Sequence, residues 1–375
     1  MRTKRFSILH LLLAVLLTLA VSVGGCLLAV RLIAGEGALS LLEGILLVNT
    51  SFVGDYDPDQ AVDAALEGLV NGLGDRWSYY LNAEGYASQE LRRKNQYVGI
   101  GVTVNYEREE GLLIQEVTPG SPAEEAGLRP GEIITAAGGV SLAGEARYEG
   151  AGYIRGEAGT AVVLDLLAEN GATRTVKVLR AAVATDPVRS ELLEGDIGYV
   201  KLDNFYDNSA GRLKEAVAEL QGQGARALIF DMRDNGGGYL TQLTDMLDFL
   251  LPEGPIFISR DRAGHERVTQ SDAACVDLPM AVLVNANTYS AAEFFAAELQ
   301  EQGAAVIVGE ETSGKGYSQQ AFPLPNGGAL NLSTAAYFTG SGVSLIGAGL
   351  RLDAQVEQTG QGDAQLEAAL ALLEP

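Results

Sequence analysis

The sequence holds only two histidines in 375 residues. His10 lies in an apolar amino-terminal segment and His265 in the charged run Arg260 to Arg267, so composition argues against a Ser-His-Asp arrangement. Cysteine is equally scarce. Cys26 sits inside the apolar segment and Cys275 is the only other, so no intramolecular disulfide is available to the rest of the chain. Cys275, within Ala273-Ala274-Cys275-Val276, is expected to be a small buried hydrophobe. Positive charge is also short: 26 Lys and Arg face 49 Asp and Glu, and the net charge of −23 repels nucleic acid and anionic lipid headgroups alike. No nucleic-acid partner is expected. With 47% hydrophobic residues, the chain can support two or three domains with real cores, and nothing in its composition suggests disorder.

What is present begins with a basic start, Met1-Arg2-Thr3-Lys4-Arg5, followed by an uncharged run of 25 residues from Phe6 to Val30. About 20 apolar residues span a bilayer, whereas a cleavable signal has a core of about 7–15, so an uncleaved anchor over residues 6–33 is expected. The preceding positive charges put the amino terminus in the cytoplasm and the rest outside, a single pass in a bacterial-type cell membrane with the folded part extracytoplasmic. Val23-Gly24-Gly25-Cys26 loosely matches a lipoprotein cleavage box, but Leu27-Leu28-Ala29-Val30 continues the apolar run where a polar tether would stand. A cleaved signal and a lipoprotein remain the rivals.

The most informative stretch runs from Ala281 to Gln319. An apolar run ends in Asn285-Ala286-Asn287-Thr288-Tyr289-Ser290-Ala291-Ala292-Glu293 and, after a helix-like segment, reaches Gly314-Lys315-Gly316-Tyr317-Ser318-Gln319. The order reads as strand, turn, helix, strand, loop. Ser290, where a buried strand turns into a helix, is either a helix N-cap or a hydroxyl beside N–H groups able to stabilise an oxyanion. Lysine can replace histidine as a base when burial disfavours its ammonium. Lys315 is one of six lysines and stands alone between two glycines with no carboxylate beside it. Lowering its pKa from about 10.4 to the useful 7–8 costs roughly 3–5 kcal/mol. Gln319, four residues on, falls on nearly the same face in a strand or a helix, where its amide oxygen could orient the amine.

These residues carry a resemblance. The segment from Asn285 to Glu293, the Gly314-Lys315-Gly316 run with Gln319, and the spacing between them resemble the C-terminal processing peptidases, or tail-specific proteases. That family uses a serine-lysine dyad. The resemblance implies Ser290 as nucleophile, Lys315 as general base and Gln319 as its orienter. Ala227 to Leu240, with Asp231-Met232-Arg233-Asp234-Asn235-Gly236-Gly237-Gly238, is similar to the family's Asp-Leu-Arg-x-Asn-Pro-Gly-Gly run, with Gly236 where proline is common. It implies an oxyanion hole made by the N–H groups of Gly237 and Ala291. A phosphate-loop reading of these glycines is weak because no Gly-Lys-Ser/Thr follows. Asp231 and Arg233 are expected to be a structural pair holding the loop.

Between the anchor and this core, Leu39 to Leu81 shows helical periodicity and ends in Gly74-Asp75-Arg76-Trp77-Ser78-Tyr79-Tyr80, which resembles a family segment that precedes a PDZ domain. Trp77 and the tyrosines are expected to be packing. From Tyr97 short strands alternate with glycine. Gly120-Ser121-Pro122-Ala123-Glu124-Glu125-Ala126-Gly127-Leu128 resembles a PDZ domain, with Val98, Gly99, Ile100 and Gly101 as its peptide carboxylate loop. Ala136-Ala137-Gly138-Gly139 and Leu352-Asp353 depart from the usual family residues.

The expected fold is α+β: a membrane helix at 6–33, a helical arm at 39–95, a PDZ domain at 96–182 and an α/β protease core of crotonase/Clp-like kind at 183–375. The resemblance implies a serine endopeptidase that captures unstructured carboxyl-terminal tails, with no metal or cofactor. Expected partners are protein or peptide substrates with free carboxyl termini and, through the first helix, a membrane; a homodimer through the arm is left open. A catalytically silent PDZ scaffold and a crotonase-like hydrolase or isomerase are the alternatives.

Overall fold

The computed structural model describes residues 8–359 and 362–374, and the chain divides into two units at Val62. In the first, α1 (Ile8–Ala34) contains a 23-residue segment, Leu11–Ile33, of mean hydropathy 2.6. Its length and composition are those of a membrane span, and a signal sequence near an amino terminus shares them. Arg2, Lys4 and Arg5, on which the expected orientation rests, lie outside the described residues. Next comes α2 (Glu36–Ser51), and α3 (Pro58–Asn71) crosses the unit boundary. The helical periodicity expected from Leu39 to Leu81 is therefore interrupted. Pro58 opens a new helix at a position that needs no N–H, and Asp57 Oδ1 caps it by accepting from Asp59 N at 2.9 Å.

The second unit continues with β1 (Tyr79–Leu81), α4 (Ala83–Arg93) and β2 (Gln96–Gly99). A small β domain follows: β3 (Val102–Asn105), β4 (Leu112–Val117), α5 (Pro122–Glu125), β5 (Ile133–Ala137), β6 (Val140–Ser141), α6 (Gly150–Ile154), β7 (Ala161–Leu167) and β8 (Thr173–Leu179). Its sheet runs β3-β4-β5-β7-β8, with β6 on β5. Along β7 the side chains alternate, with Val162, Leu164 and Leu166 buried against Leu112, Ile114 and Ile134 and their neighbours exposed, as a strand with one covered face requires. The chain leaves through β9 (Ala181–Ala184), which pairs antiparallel with β2, so the domain's entry and exit form one two-stranded ribbon.

The core carries β10 (Val188–Leu193), β11 (Ile197–Leu202), α7 (Ser209–Gly222), β12 (Ala227–Asp231), α8 (Leu240–Leu250), β13 (Gly254–Asp261), β14 (Glu266–Ser271), β15 (Met280–Val284) and α9 (Ala291–Glu301). It ends with β16 (Ala305–Gly309), β17 (Tyr317–Pro323), β18 (Ala329–Phe338), β19 (Ala354–Gln355) and α10 (Ala364–Leu373). One sheet runs β10-β11-β12-β15-β16-β19, parallel except for β10. Its central strands β12 and β15 are buried at every residue, which explains their unbroken apolar runs. On one face Leu213, Leu247, Phe294 and Phe295 from α7, α8 and α9 join Phe230 and Val282; on the other, Ala369 and Leu373 of α10 cover Ile229 and Leu283. A second sheet, β1-β18-β13-β14 with β17 on β18, lies beyond. Cys275 corrects an expectation: it is exposed, and Val276 is the buried residue of that loop. Asp272 Oδ1 accepts from Ala274 N at 2.7 Å, and Cys275 stands next to the turn this bond closes.

Asp231, at the carboxyl end of β12, is the electrostatic centre of this sheet. Its carboxylate accepts from Arg233 Nη2 at 2.6 Å, Tyr199 Oη at 2.6 Å and Lys201 Nζ at 3.2 Å, and Arg233 also reaches Asp363, the N-cap of α10. Burial raises the Asp231 carboxyl, but Arg233, Lys201 and Tyr199 outweigh it and hold it below the usual range. Arg233→Met should cost about 3 kcal/mol in urea unfolding, the low end for a broken buried pair because Lys201 remains. Since the folded Asp231 pKa is depressed, its contribution is present above the ordinary carboxylate pKa and lost as pH falls through the folded value. The deficit of the variant should therefore shrink in acid; an equal deficit at neutral and acid pH would refute this account.

Candidate active site

At the end of β15 the chain makes a tight, heavily bonded turn. Asn285 N donates to Thr288 Oγ1 at 3.0 Å, and that hydroxyl donates to Met232 O at 2.8 Å. Asn285 Nδ2 and Asn287 Nδ2 donate to Asp234 Oδ1 at 2.9 and 2.8 Å, while Asp234 N donates back to Asn285 Oδ1 at 3.0 Å. The turn after β15 is thus tied to the loop after β12. It delivers Ser290 at φ 59 and ψ −127, a region that non-glycine residues occupy only under strain of about 1–3 kcal/mol. Ser290 stands at the N-cap of α9, where the buried Glu293 carboxylate accepts from its backbone N–H at 3.1 Å. Its neighbour Gly237 must be glycine: at φ 81, an added Cβ would lie 2.7 Å from Ala291 N and 3.0 Å from Ser290 Cβ.

Lys315 lies in the loop between β16 and β17. Its Nζ sits 4.7 Å from the centre of the Trp77 ring and 5.5 Å from that of Tyr289. Burial pushes its pKa down to about 8, against the opposing charges of Asp75 and Glu293. Trp77 is more than the packing expected of it: it covers the amine, while Arg76 stacks over its ring at 4.3 Å and donates to Ser313 O at 2.8 Å. Asp75 Oδ1 accepts from Trp77 N at 3.1 Å and Oδ2 from Ser78 Oγ at 2.6 Å, fixing this segment. The signal for it in the sequence was the Gly74 to Tyr80 motif. Glu293, quoted only as the end of the serine motif, is the other residue that sequence reasoning gave no role.

One cavity of about 600 Å³ is lined by Ser290, Lys315, Gln319, Trp77, Tyr239 and Tyr289 among others, so the three residues expected to act together share it. Among the described residues no hydrogen bond joins Lys315 to Ser290 or to Gln319. Gln319 Nε2 donates instead to Tyr317 O at 2.9 Å and Ser333 Oγ at 3.3 Å. The same-face argument assumed a continuous element, whereas Lys315 precedes β17 and a bulge shifts the register between Ser318 and Gln319. Ala291 is the first residue of α9, where N–H groups lack helical partners. Gly237 N–H donates to Asn235 Oδ1 at 2.8 Å, so its expected role requires it to exchange that partner. The expected carboxylate loop is also part strand. Val98 and Gly99 pair with Ala182 and Ala181 within the ribbon, leaving Ile100 and Gly101 as the turn into β3. A cavity of about 370 Å³ lies there, lined by Tyr97, Ile100, Gly101, Val104, Ile154 and Arg155 among others. No group of three or more His, Cys, Asp or Glu among the described residues is arranged to hold a metal ion.

Residues 196–356 match the model of peptidase family S41, and residues 113–168 match a PDZ domain model. The chain is 33% identical over 324 residues to a carboxyl-terminal-processing protease of Synechocystis sp., covering 82% of this chain and 76% of the relative. It is 31% identical to the carboxy-terminal processing protease CtpA of Bacillus subtilis, covering 79% of this chain and 64% of that protein. Among solved structures, the photosystem II D1 C-terminal processing protease superposes with a TM-score of 0.51 at 27% identity, covering 90% of this chain and 91% of that one.

Trp77 is the only tryptophan in the chain and reports on the amine it covers. Its emission should titrate with a midpoint near pH 8, the value to which burial brings Lys315. Lys315→Met should abolish that transition, and an unchanged titration in the variant would remove Lys315 as its source.

Proposed function

Because the chain belongs to peptidase family S41, the carboxyl-terminal processing proteases, and is thus a serine-type peptidase, we propose that it hydrolyses peptide bonds with Ser290 as nucleophile and Lys315 as general base. One observation carries this assignment: a strained serine at a helix N-terminus and an amine with pKa near 8 line the same cavity. Neutral Lys315 takes the Ser290 Oγ proton as Oγ attacks the carbonyl carbon. The tetrahedral oxyanion is held by the N–H groups of Ala291 and Gly237, the latter leaving Asn235. When the C–N bond breaks, the Lys315 ammonium returns its proton to the departing amine; Lys315 then activates the water that hydrolyses the acyl-enzyme. Gln319 orients the amine once substrate closes the cavity. The proposed step requires the Lys315 amine to come within hydrogen-bond reach of Ser290 Oγ in the substrate complex.

The PDZ domain, over residues 96–182, captures the carboxyl-terminal tail of an unstructured protein. The tail adds as a strand beside β3, with its carboxylate at the Ile100-Gly101 turn. The cavity at that turn, with its apolar lining and Arg155, supports this reading. The core over 183–375 is of the crotonase/Clp-like kind, which its parallel sheet with strand-to-helix active-site turn supports. α1 anchors the enzyme in a membrane in a single pass, with the catalytic part extracytoplasmic.

Ser290→Ala and Lys315→Ala should each abolish cleavage of a long unfolded polypeptide while urea unfolding stays cooperative, and Gln319→Ala should lose less. Full activity in folded Lys315→Ala would sink the dyad. Amidating the substrate's terminus removes a charged acceptor worth about 1.5–3 kcal/mol, so cleavage should slow roughly 10- to 100-fold. Equal rates for amidated and free-acid substrates would refute tail capture. This test is cleaner than substituting Gly101, because a Cβ there would meet Ser121 Cβ at 2.3 Å and disturb the domain itself. Full-length chain should be recovered with the membranes; a soluble form starting near residue 30 would instead show a cleaved signal.

A further inference from the structure

The Glu293 carboxylate is completely buried and accepts four hydrogen bonds. Its Oε1 accepts from Thr312 Oγ1 at 2.6 Å and Gly314 N at 2.7 Å; its Oε2 accepts from Lys315 N at 2.9 Å and Ser290 N at 3.1 Å. Among the described residues no Arg or Lys side chain pairs with it. A helix cap would explain the bond to Ser290 alone. The other three donors belong to the loop that carries Lys315, so the capping role does not account for the arrangement. Two donors on each oxygen match the acceptor capacity of a carboxylate.

We infer that Glu293 is a positioning residue for the proposed reaction: its ionised carboxylate locks the serine turn to the lysine loop and sets the distance between Ser290 and Lys315. The inference rests on Ser290 and Lys315 being nucleophile and base. Apart from Glu293, one long backbone bond joins the loop to the later part of the serine turn, Ser313 N to Thr288 O at 3.4 Å, and it stops two residues short of the serine. Ser313 Oγ donates to Ala286 O at 2.9 Å, but that contact joins the loop to the beginning of the turn and not to the serine. The charged groups that face the Lys315 amine are Asp75, from the segment ahead of β1, and Glu293, from α9, with the phenol-bearing Tyr289 and the indole of Trp77 beside them. Glu293 therefore acts on the base in two ways, by holding its backbone and by favouring its ammonium.

Glu293→Gln keeps the shape but offers one accepting oxygen, so two of the four donors face an amide NH2. On the unfolded polypeptide substrate kcat should fall about tenfold or more, with KM within about threefold. The acid limb of kcat/KM should move to lower pH, because a negative charge that raises the Lys315 pKa is gone while Asp75 remains. Glu293→Asp keeps the charge, so its limb should stay at the wild-type pH while kcat falls. A merely structural role would lower the active fraction and leave the limb in place. Wild-type kcat in folded Glu293→Gln, or a reduced kcat with an unmoved limb, overturns the inference. If the Gln variant does not fold, Thr312→Val withdraws one of the four donors, together with the acceptor of Leu350 N at 3.0 Å: reduced kcat at unchanged KM with cooperative urea unfolding supports the lock, and wild-type kcat overturns it. Ser290→Ala is run alongside. Activity in Ser290→Ala removes the dyad reading beneath the inference, whereas inactive Ser290→Ala beside fully active Glu293→Gln removes only the lock.

Discussion

A lysine serves as a base near neutral pH only where water is kept from its ammonium, and the surroundings of Lys315 meet that constraint at some cost. Two aromatic rings cover the amine, Trp77 from the segment ahead of β1 and Tyr289 from the serine turn. Desolvation is the larger effect on its pKa, and the carboxylates of Asp75 and Glu293 restrain it. A ring face also attracts a cation, so the rings that exclude water give back part of the stabilisation they remove. The balance near pH 8 leaves a fraction of the amine neutral at physiological pH and the ammonium acidic enough to return a proton.

Holding that balance requires segments from distant parts of the chain to meet at fixed distances, and the parallel sheet supplies the frame. The loops after β12, β15 and β16 all leave the same edge of adjacent strands, the edge where open α/β sheets gather their functional groups. Asp234, itself at φ 61, ties the first loop to the second through Asn285 and Asn287. Glu293 ties the second to the third. Beneath them Asp231 and Arg233 fasten the end of β12 to the start of α10. Each tie is a charged group meeting several short, directed donors, which holds the Ser290 turn and the Lys315 loop at a fixed separation.

Much of this was legible in the residues. The apolar run of β15 and the strand-turn-helix at Ser290 fall where the pattern put them, because each depends on local periodicity and on burial. Asp57-Pro58 carried a helix start that the longer periodicity masked. Lys315 was recognisable by what it lacked, a neighbouring carboxylate. What the pattern could not show were contacts made across the chain: Trp77 over Lys315, four donors on Glu293, and the Gly237 N–H held by Asn235. Spacing alone did not show the bulge between Ser318 and Gln319, nor that the Gln319 amide donates to Tyr317 O and Ser333 Oγ. Cys275 was misjudged because burial follows the path of a loop, which residue type does not set.

The ribbon of β2 and β9 gives the last link between the two halves of the second unit. It begins at Asn95, held at φ 50, whose side chain donates to Asp207 O at 2.7 Å and accepts from Asn204 Nδ2 at 2.9 Å, anchoring the ribbon to the core just before α7. The helix that precedes it, α4, contributes Tyr86, Gln89 and Arg93 to the wall of the Ser290 cavity. A side chain in that wall and the strand leading to the PDZ groove are therefore separated only by Lys94 and Asn95. Arg93 O also accepts from Asp207 N at 3.0 Å, so the junction is bonded through backbone as well as side chain. The Ile100-Gly101 turn and the residues of α4 that wall the Ser290 cavity therefore lie on one short stretch of chain, and the joint between them is a heavily hydrogen-bonded turn.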